Sequence, residues 1–237
     1  MYNYIIDIFY IQYFNNTSSK GEKEMKKIND LHNEIIGLKL VEALKKNAFS
    51  AVYVKSGEEA SEFIMNNVHK GDRVGFGGSM TVLKLGIQEK VKSMGGIVLD
   101  HGDTTLSPEE KIETMRGELL SDVFLCSSNA VTLDGELVNI DGVGNRVAAM
   151  SFGPKKVIVV VGINKICRNE ASAFERLELT AAPMNNLRLN TPNPCTKTGV
   201  CMDCKADTRI CRIYSVIKRK PTRTDITVVV IGENFGY

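Results

Sequence analysis

With 237 residues and a formal net charge of +2, the chain can form one large domain or two small ones. It carries no global field that would mark a nucleic-acid or membrane-surface binder. Its 43% hydrophobic and 24% charged residues match a soluble globular protein, and with no tryptophan and 7% aromatics it has little for a base-stacking surface.

Residues 1–24 begin with the apolar MYNYIIDIFYIQYF. No basic residue precedes this run, Asp7 interrupts it, and it is too short to span a bilayer. It reads as a disordered extension or a start assigned too early, with a short peripheral anchor as the alternative. Without a secretion signal the chain is expected in the cytoplasm, where thiols stay reduced and clustered cysteines act as ligands or catalysts rather than disulfides.

From Met25 the pattern turns helical. Ile28, Leu31, Ile35, Leu38, Val41 and Leu44 recur at three- and four-residue steps and form one apolar stripe. SAVYV predicts a strand, and Ser56 with Glu59 a capping box for the next helix. RVGF is a strand, GGS a turn, TVLKLGIQEKVKSM a helix and GGIVLD a strand. SPEE from Ser107 starts a further helix, and DVFLC is the next strand. AVTLDGELVNI holds two alternating runs about Asp134-Gly135, a strong hairpin signal. GNRVAAM predicts a short helix and KKVIVVVG a strand buried on both faces. A helix is expected from Asn169 to about Thr180, ending before Pro183, and DITVVVIG is the last strand. Repeated strand–helix units predict a single α/β domain over residues 25–237 with a mainly parallel, Rossmann-like sheet. A β-hairpin is inserted before the fifth strand, and a four-cysteine segment, residues 191–212, before the last.

Two polar constellations fall at strand ends. In RVGFGGSMTVLK, Gly77 and Gly78 allow a sharp turn, Ser79 caps the helix that follows, and Thr81 lies in its first turn. This arrangement suits a phosphate or carboxylate, and equally a plain tight turn; it is neither a dinucleotide fingerprint nor a P-loop. Asn129, Asp134, Asp141, Asn145 and Arg146 crowd the hairpin and the helix after it, with Lys165 past the buried strand. Asp134 reads most simply as a turn residue. Arg146 is placed to fork onto a carboxylate or phosphate, and Lys165 reads as a solvated loop charge or a pocket cation. The partner these residues suggest is a small anionic metabolite. His32, His69 and His101 are scattered, and His101, in the loop after IVLD, reads as an ordinary loop residue, with a place at the sheet's ligand edge as the alternative.

The stretches GFGGSMT, SSNAVTLDGELVNIDGVGNRVAAM and GPKKVIVVVGINKI resemble the LUD (lactate utilization) domain family, over most of the chain. The resemblance implies the fold shared by ribose-5-phosphate isomerases, glucosamine-6-phosphate deaminases and CoA transferases. It also implies a link to lactate oxidation, with other lactate-utilization proteins as partners. Asp141 stands where the isomerases would carry a lysine, and no glutamate stands out as a covalent CoA carrier. The resemblance therefore carries over a pocket rather than a reaction, and a CoA ester joins phosphate and carboxylate among its ligands. The ferredoxin-like module of electron-handling LUD proteins, with its repeated CxxCxxC runs, does not occur in this sequence.

Cys195-x5-Cys201-x2-Cys204-x6-Cys211 lies in a polar segment bounded by proline and glycine. One close pair flanked by single cysteines suits a 4Fe–4S cluster better than the paired spacing of structural zinc. Zinc is one alternative, and redox thiols or no metal at all is the other. Cys126 and Cys167 read as packed apolar residues. Two functions follow. One is an iron–sulfur protein acting in electron transfer or in 2-hydroxy/2-oxo acid metabolism. The other is a non-redox enzyme or binder of a small anion, with zinc or no metal.

Overall fold

The computed structural model describes the backbone of residues 2–237 and the side chains of residues 21–237. The reading of residues 1–24 as an extension falls mainly on residues 1–20, whose side chains lie outside the described residues.

The elements in order are α1 (Tyr2–Lys46), β1 (Ser50–Val54), α2 (Gly57–Met65), β2 (Arg73–Phe76), α3 (Met80–Lys84), α4 (Ile87–Ser93), β3 (Ile97–Asp100), α5 (Pro108–Glu118) and β4 (Val123–Cys126). Then come β5 (Ala130–Thr132), β6 (Leu137–Asp141), α6 (Asn145–Ser151), β7 (Lys156–Gly162) and β8 (Ile166–Cys167). They are followed by α7 (Glu170–Arg176), a π turn (Leu177–Ala181), α8 (Ala182–Arg188), α9 (Cys195–Thr198), β9 (Ile213–Ile217) and β10 (Asp225–Ile231).

Six strands form one all-parallel sheet in the order β1-β10-β7-β4-β2-β3. Alternation along β7 sends Ile158 and Val160 to one core and Val157, Val159 and Val161 to the other, so the strand is apolar throughout because both faces are covered. Ala60, Ile64, Ile87 and Val91 of α2 and α4 close the first face, and Leu40, Leu44, Ala149 and Met150 of α1 and α6 close the second. The expected hairpin is β5–β6, antiparallel through Ala130↔Val138. It is the centre of a second, four-stranded sheet, β8-β5-β6-β9, whose outer strands the sequence pattern did not reveal.

Three elements differ from expectation. In α1 the buried face is Gly37, Leu40, Val41 and Leu44, while Ile28, Leu31, Ile35 and Leu38 are exposed. Gly37 sets this rotation, since a Cβ there would run into the Tyr53 ring on β1. The helix after β2 breaks into α3 and α4 at Gly86, which adopts a left-handed φ of 64°. The helix from Asn169 passes Pro183 and continues to Arg188. A π turn just ahead shifts the ladder, so that the Ala182 N–H bonds Leu177 O and the proline ring enters at the start of a fresh helical segment.

Candidate functional site

After β2 the chain crosses to β3 at the sheet edge, and β4 then returns to the other side of β2. The carboxyl ends of β2 and β4 thus flank a topological switch point, where open α/β sheets bind ligands. A cavity of about 370 Å³ opens there. Its walls come from the loops after β2, β3, β4 and β7, from α8, and from the cysteine segment.

The glycine turn forms one wall. Gly77 N–H donates to Leu125 O (3.0 Å), and the Ser79 hydroxyl caps α3 by accepting from Val82 N–H (3.3 Å). Gly78 has φ 64°, and a Cβ on it would stand 3.2 Å from His101 Nε2. His101 therefore lies over the turn. Its Nδ1 is 2.7 Å from Glu118 Oε1, and Glu118 is 1% exposed. Burial pulls the His101 pKa down, but the hydrogen bond and charge of Glu118, helped by Asp100, outweigh it and the net shift is upward. A histidine held through Nδ1 keeps Nε2 for a ligand proton.

Lys165 forms the floor. It is 4% exposed, and its ammonium nitrogen lies 2.9 Å from both Thr81 Oγ1 and Ser127 Oγ. Burial, with Arg176 and Arg146 nearby, lowers its pKa to about 7. Arg176 of α7 fastens the neighbouring loops by donating to Asn164 O (3.1 Å) and Asn129 O (2.7 Å).

Arg146 opens α6 and lines the cavity, but its fork is turned inward. It donates to Asp141 Oδ1 (3.0 Å), Ser127 O (3.0 Å), Asn129 Oδ1 (2.7 Å) and Ile140 O (3.0 Å). Asp141 is occupied in turn, its other oxygen accepting from Val147 N–H (3.0 Å). This pair braces the loop. Asn145 reaches Glu118 Oε2 at 3.5 Å.

Gly77, Gly78, Ser79, Thr81, Asn129, Asp141, Asn145, Arg146 and Lys165 thus line one cavity. Asp134 does not. It is exposed at the hairpin tip, where its carbonyl accepts from the Asn47 side chain (2.8 Å) beside α1, and it acts as a turn residue. His101, at the ligand edge and backed by Glu118, completes the site, together with residues the sequence did not single out: Arg188 and Asn185 of α8, and Tyr237. The last segment hooks over Lys165. Thr81 Oγ1 lies 3.3 Å from Phe235 O, Asn164 holds both Phe235 N–H and Gly236 O at 3.1 Å, and Tyr237 donates to Asn185 Oδ1 (2.9 Å).

All six cysteines are free thiols. Cys126 is fully buried in the second core, where burial pushes its pKa up to about 12. Cys167, on β8, packs with Ala130, Val138, Ala173 and Leu177 in a third, smaller cluster. Cys195, Cys201, Cys204 and Cys211 line one small cavity of about 10 Å³. The loop around them is held by buried Asn193, which donates to Asn186 Oδ1 (2.7 Å) and Thr208 O (3.0 Å). Arg209 ties Cys211 O (2.7 Å) to Asp203 Oδ1 (2.8 Å), and Asp203 N–H points at Cys201 Sγ (3.4 Å). Burial raises the pKa of Cys195, and it pushes Cys211 up to about 11, with the neighbouring thiols acting in the same direction.

The donor set is wholly sulfur, which suits an iron–sulfur cluster or zinc, and a bound metal would hold these thiols deprotonated. Among the described residues, no three His, Cys, Asp or Glu side chains are drawn together as a shell for a single ion. The two cavities share a wall of Ala182, Ile210 and Cys211. Arg212 N–H donates to Asp141 O (2.9 Å), and a Cβ on Gly142 would lie 3.0 Å from Ile210 O, so the cysteine segment rests directly on the Asp141 loop. No helix of the described residues is long and apolar enough to cross a membrane.

The family model of the LUD domain matches residues 38–231. A DUF162 family protein from Deinococcus radiodurans is similar in structure at 15% identity, with a TM-score of 0.49, over 84% of this chain and 98% of that one. The β subunit of eIF2B from Chaetomium thermophilum is similar at 18% identity, with a TM-score of 0.35, over 49% of this chain and 44% of that one. No curated protein matches the chain.

Proposed function

The chain belongs to the LUD domain family, and we propose that it acts on a small carboxylate-bearing metabolite of the 2-hydroxy or 2-oxo acid class beside an iron–sulfur cluster. The cluster would be held by Cys195, Cys201, Cys204 and Cys211, and it would supply one-electron transfer when bound. The observation that carries this reading is the common wall, with Cys211 bordering both the thiol cavity and the polar cavity.

The remaining work falls to this chain's own side chains. Arg188 faces the cavity with positive charge, while Asp141 is already matched by Arg146 and Glu118 by His101. A ligand carboxylate is attracted accordingly. His101 Nε2, backed by Glu118, holds or takes a ligand proton. Gly78 leaves room for the imidazole, and the Phe235–Tyr237 segment limits water at Lys165.

The test is purification without oxygen, with iron, sulfide and the visible spectrum recorded. Iron with broad visible absorption, lost in Cys201→Ser/Cys204→Ser, is the expected result. Colourless, iron-free protein after anaerobic reconstitution would overturn it. A second reading is a non-redox enzyme or binder of a small anion. The Asn186–Asn193–Thr208 network favours it, because it holds the cysteine loop without any metal. Stoichiometric zinc, or no metal at all, together with thermal stabilisation by carboxylates or phosphates, would select it.

A further inference from the structure

Resting on the reading of the polar cavity as a site for a small anionic metabolite, we propose that Lys165 forms a Schiff base with the carbonyl carbon of an oxo acid. Such chemistry needs an uncharged amine, access to a ligand, and groups to move protons between nitrogen and oxygen.

Lys165 meets the first need through its surroundings. The residue lines the cavity although it is almost wholly buried. Among the described residues no carboxylate lies at ion-pair distance from it. The acid in the cavity wall, Asp141, is committed to Arg146 and the Val147 N–H. A lysine kept for packing or charge balance normally has a counter-ion in such a place. This one has two hydroxyls instead, Thr81 Oγ1 and Ser127 Oγ, each 2.9 Å away. A hydroxyl can accept from an amine or donate to it, so the site tolerates the neutral form. Arg176 and Arg146 press in the same direction, as the lowered proton affinity of Lys165 reflects.

The ligand class follows from the lining. The amine selects an aldehyde or ketone carbon. With Asp141 matched by Arg146 and Glu118 by His101, the surplus charge facing the cavity is positive, from Arg188 at the α8 wall. The carbonyl compound therefore carries an anionic group, as an oxo acid does.

The step balances without any outside oxidant or reductant. The Lys165 lone pair forms the N–C bond while the carbonyl π pair moves to oxygen. A proton passes from nitrogen to that oxygen through the Thr81 or Ser127 hydroxyl, giving the carbinolamine. The nitrogen lone pair then expels the oxygen, which takes one further proton from solvent and leaves as water, and a protonated imine remains. Release is the reverse addition of water. The imine withdraws electrons from the adjacent carbon, which would make a proton there acidic.

The experiment is reductive trapping on the full chain. The protein is incubated with pyruvate, glyoxylate or uncharged propanal, treated with cyanoborohydride, digested and mapped by peptide mass. Thermal shifts are recorded with the same compounds without reductant. The expected result is a reduced adduct of pyruvate or glyoxylate on Lys165 of the wild type, at least about tenfold above any other lysine and above propanal at the same position. Lys165→Arg should show surface background only. Because the adduct is located in the wild-type protein, the answer does not depend on the variant folding. If the oxo acids stabilise the protein but leave Lys165 unlabelled, the Schiff base is wrong and the binding reading stands. If they neither stabilise nor label, both fail.

Discussion

At the residue scale, Lys165 and Arg146 exchange the roles their sequence context suggests. Arg146 follows a glycine loop as an anion-binding arginine would, but its donors are spent on Asp141, Asn129 and two carbonyls. Lys165 looks like a loop charge and lies buried. Its value near 7, against an ordinary 10.5, fixes the sign of a pH effect. Below about 7 both folded and unfolded states hold the proton, and the folded state bears the whole desolvation cost. Between about 7 and 10.5 the unfolded state binds more protons, so this group alone makes stability rise with pH. Lys165→Met should accordingly raise stability at neutral pH by on the order of 3 kcal/mol, after allowing for two hydroxyls left unpaired. That gain should shrink as pH approaches 10, in paired urea titrations; a gain independent of pH would count against the buried, poorly solvated amine.

His101 has the opposite sign. Its raised value gives stability that is fully present below 6.5 and is lost as pH climbs through the folded pKa. In Glu118→Gln the burial effect acts with less opposition, and the His101 titration followed by proton NMR should move to lower pH. An unmoved titration would dissolve the dyad. The pairing was not legible in the sequence, although His101 could be placed at the ligand edge, because His101 follows β3 while Glu118 ends α5, and only the tertiary fold brings them to 2.7 Å.

At the scale of elements, caps and turns were the most legible features, since their chemistry is local. Ser107 and Glu110 form the full capping box that SPEE implies. The Ser56 cap is half a box, because Glu59 turns to Lys55 N–H instead. The α1 stripe was misread because periodicity reports a face but not which neighbour it meets, and Gly37 against Tyr53 decided that. The strands β8 and β9 were hidden for a related reason. The first is two residues long, and Ile213 and Tyr214 of the second are exposed, so neither shows a buried alternation.

Two glycines give a paired test at this scale. Gly135 and Gly199 both have left-handed φ, 81° and 76°. At Gly135 a Cβ would also stand 2.6 Å from the Ala43 backbone, whereas at Gly199 it would meet open space. Gly199→Ala should cost about 1 kcal/mol from conformation alone, and Gly135→Ala clearly more, about 3 kcal/mol, since helix and hairpin must part. Equal losses by chemical denaturation would mean the hairpin tip does not seat against α1 as described.

For the molecule as a whole, the parallel sheet was legible because strands buried on both faces give continuous apolar runs, and VIVVVG and DITVVVIG are such runs. The convergence of the polar residues was legible only in part, through the rule that strand ends bear ligands. Core and site are mechanically joined at Phe124. It is fully buried, and Cβ atoms placed on Gly75 and Gly77 would each lie 2.9 Å from its ring. Phe124→Ala should cost about 4 kcal/mol in urea unfolding. It should also weaken ligand-induced thermal stabilisation, because the glycine turn loses the surface it rests on; undiminished stabilisation would show the turn to be self-supporting.

The hook of residues 235–237 has a practical side. Tyr237 stands at the mouth of the cavity, with Gly236 laid against Thr81 and Lys165. A bulky group attached at Tyr237 would stand in the ligand's path and compete with the molecules a binding assay sets out to detect. The same placement makes it a natural attachment point for an environment-sensitive dye. A dye there would report entry optically, with a matching label at exposed Lys23 on α1 as the silent reference.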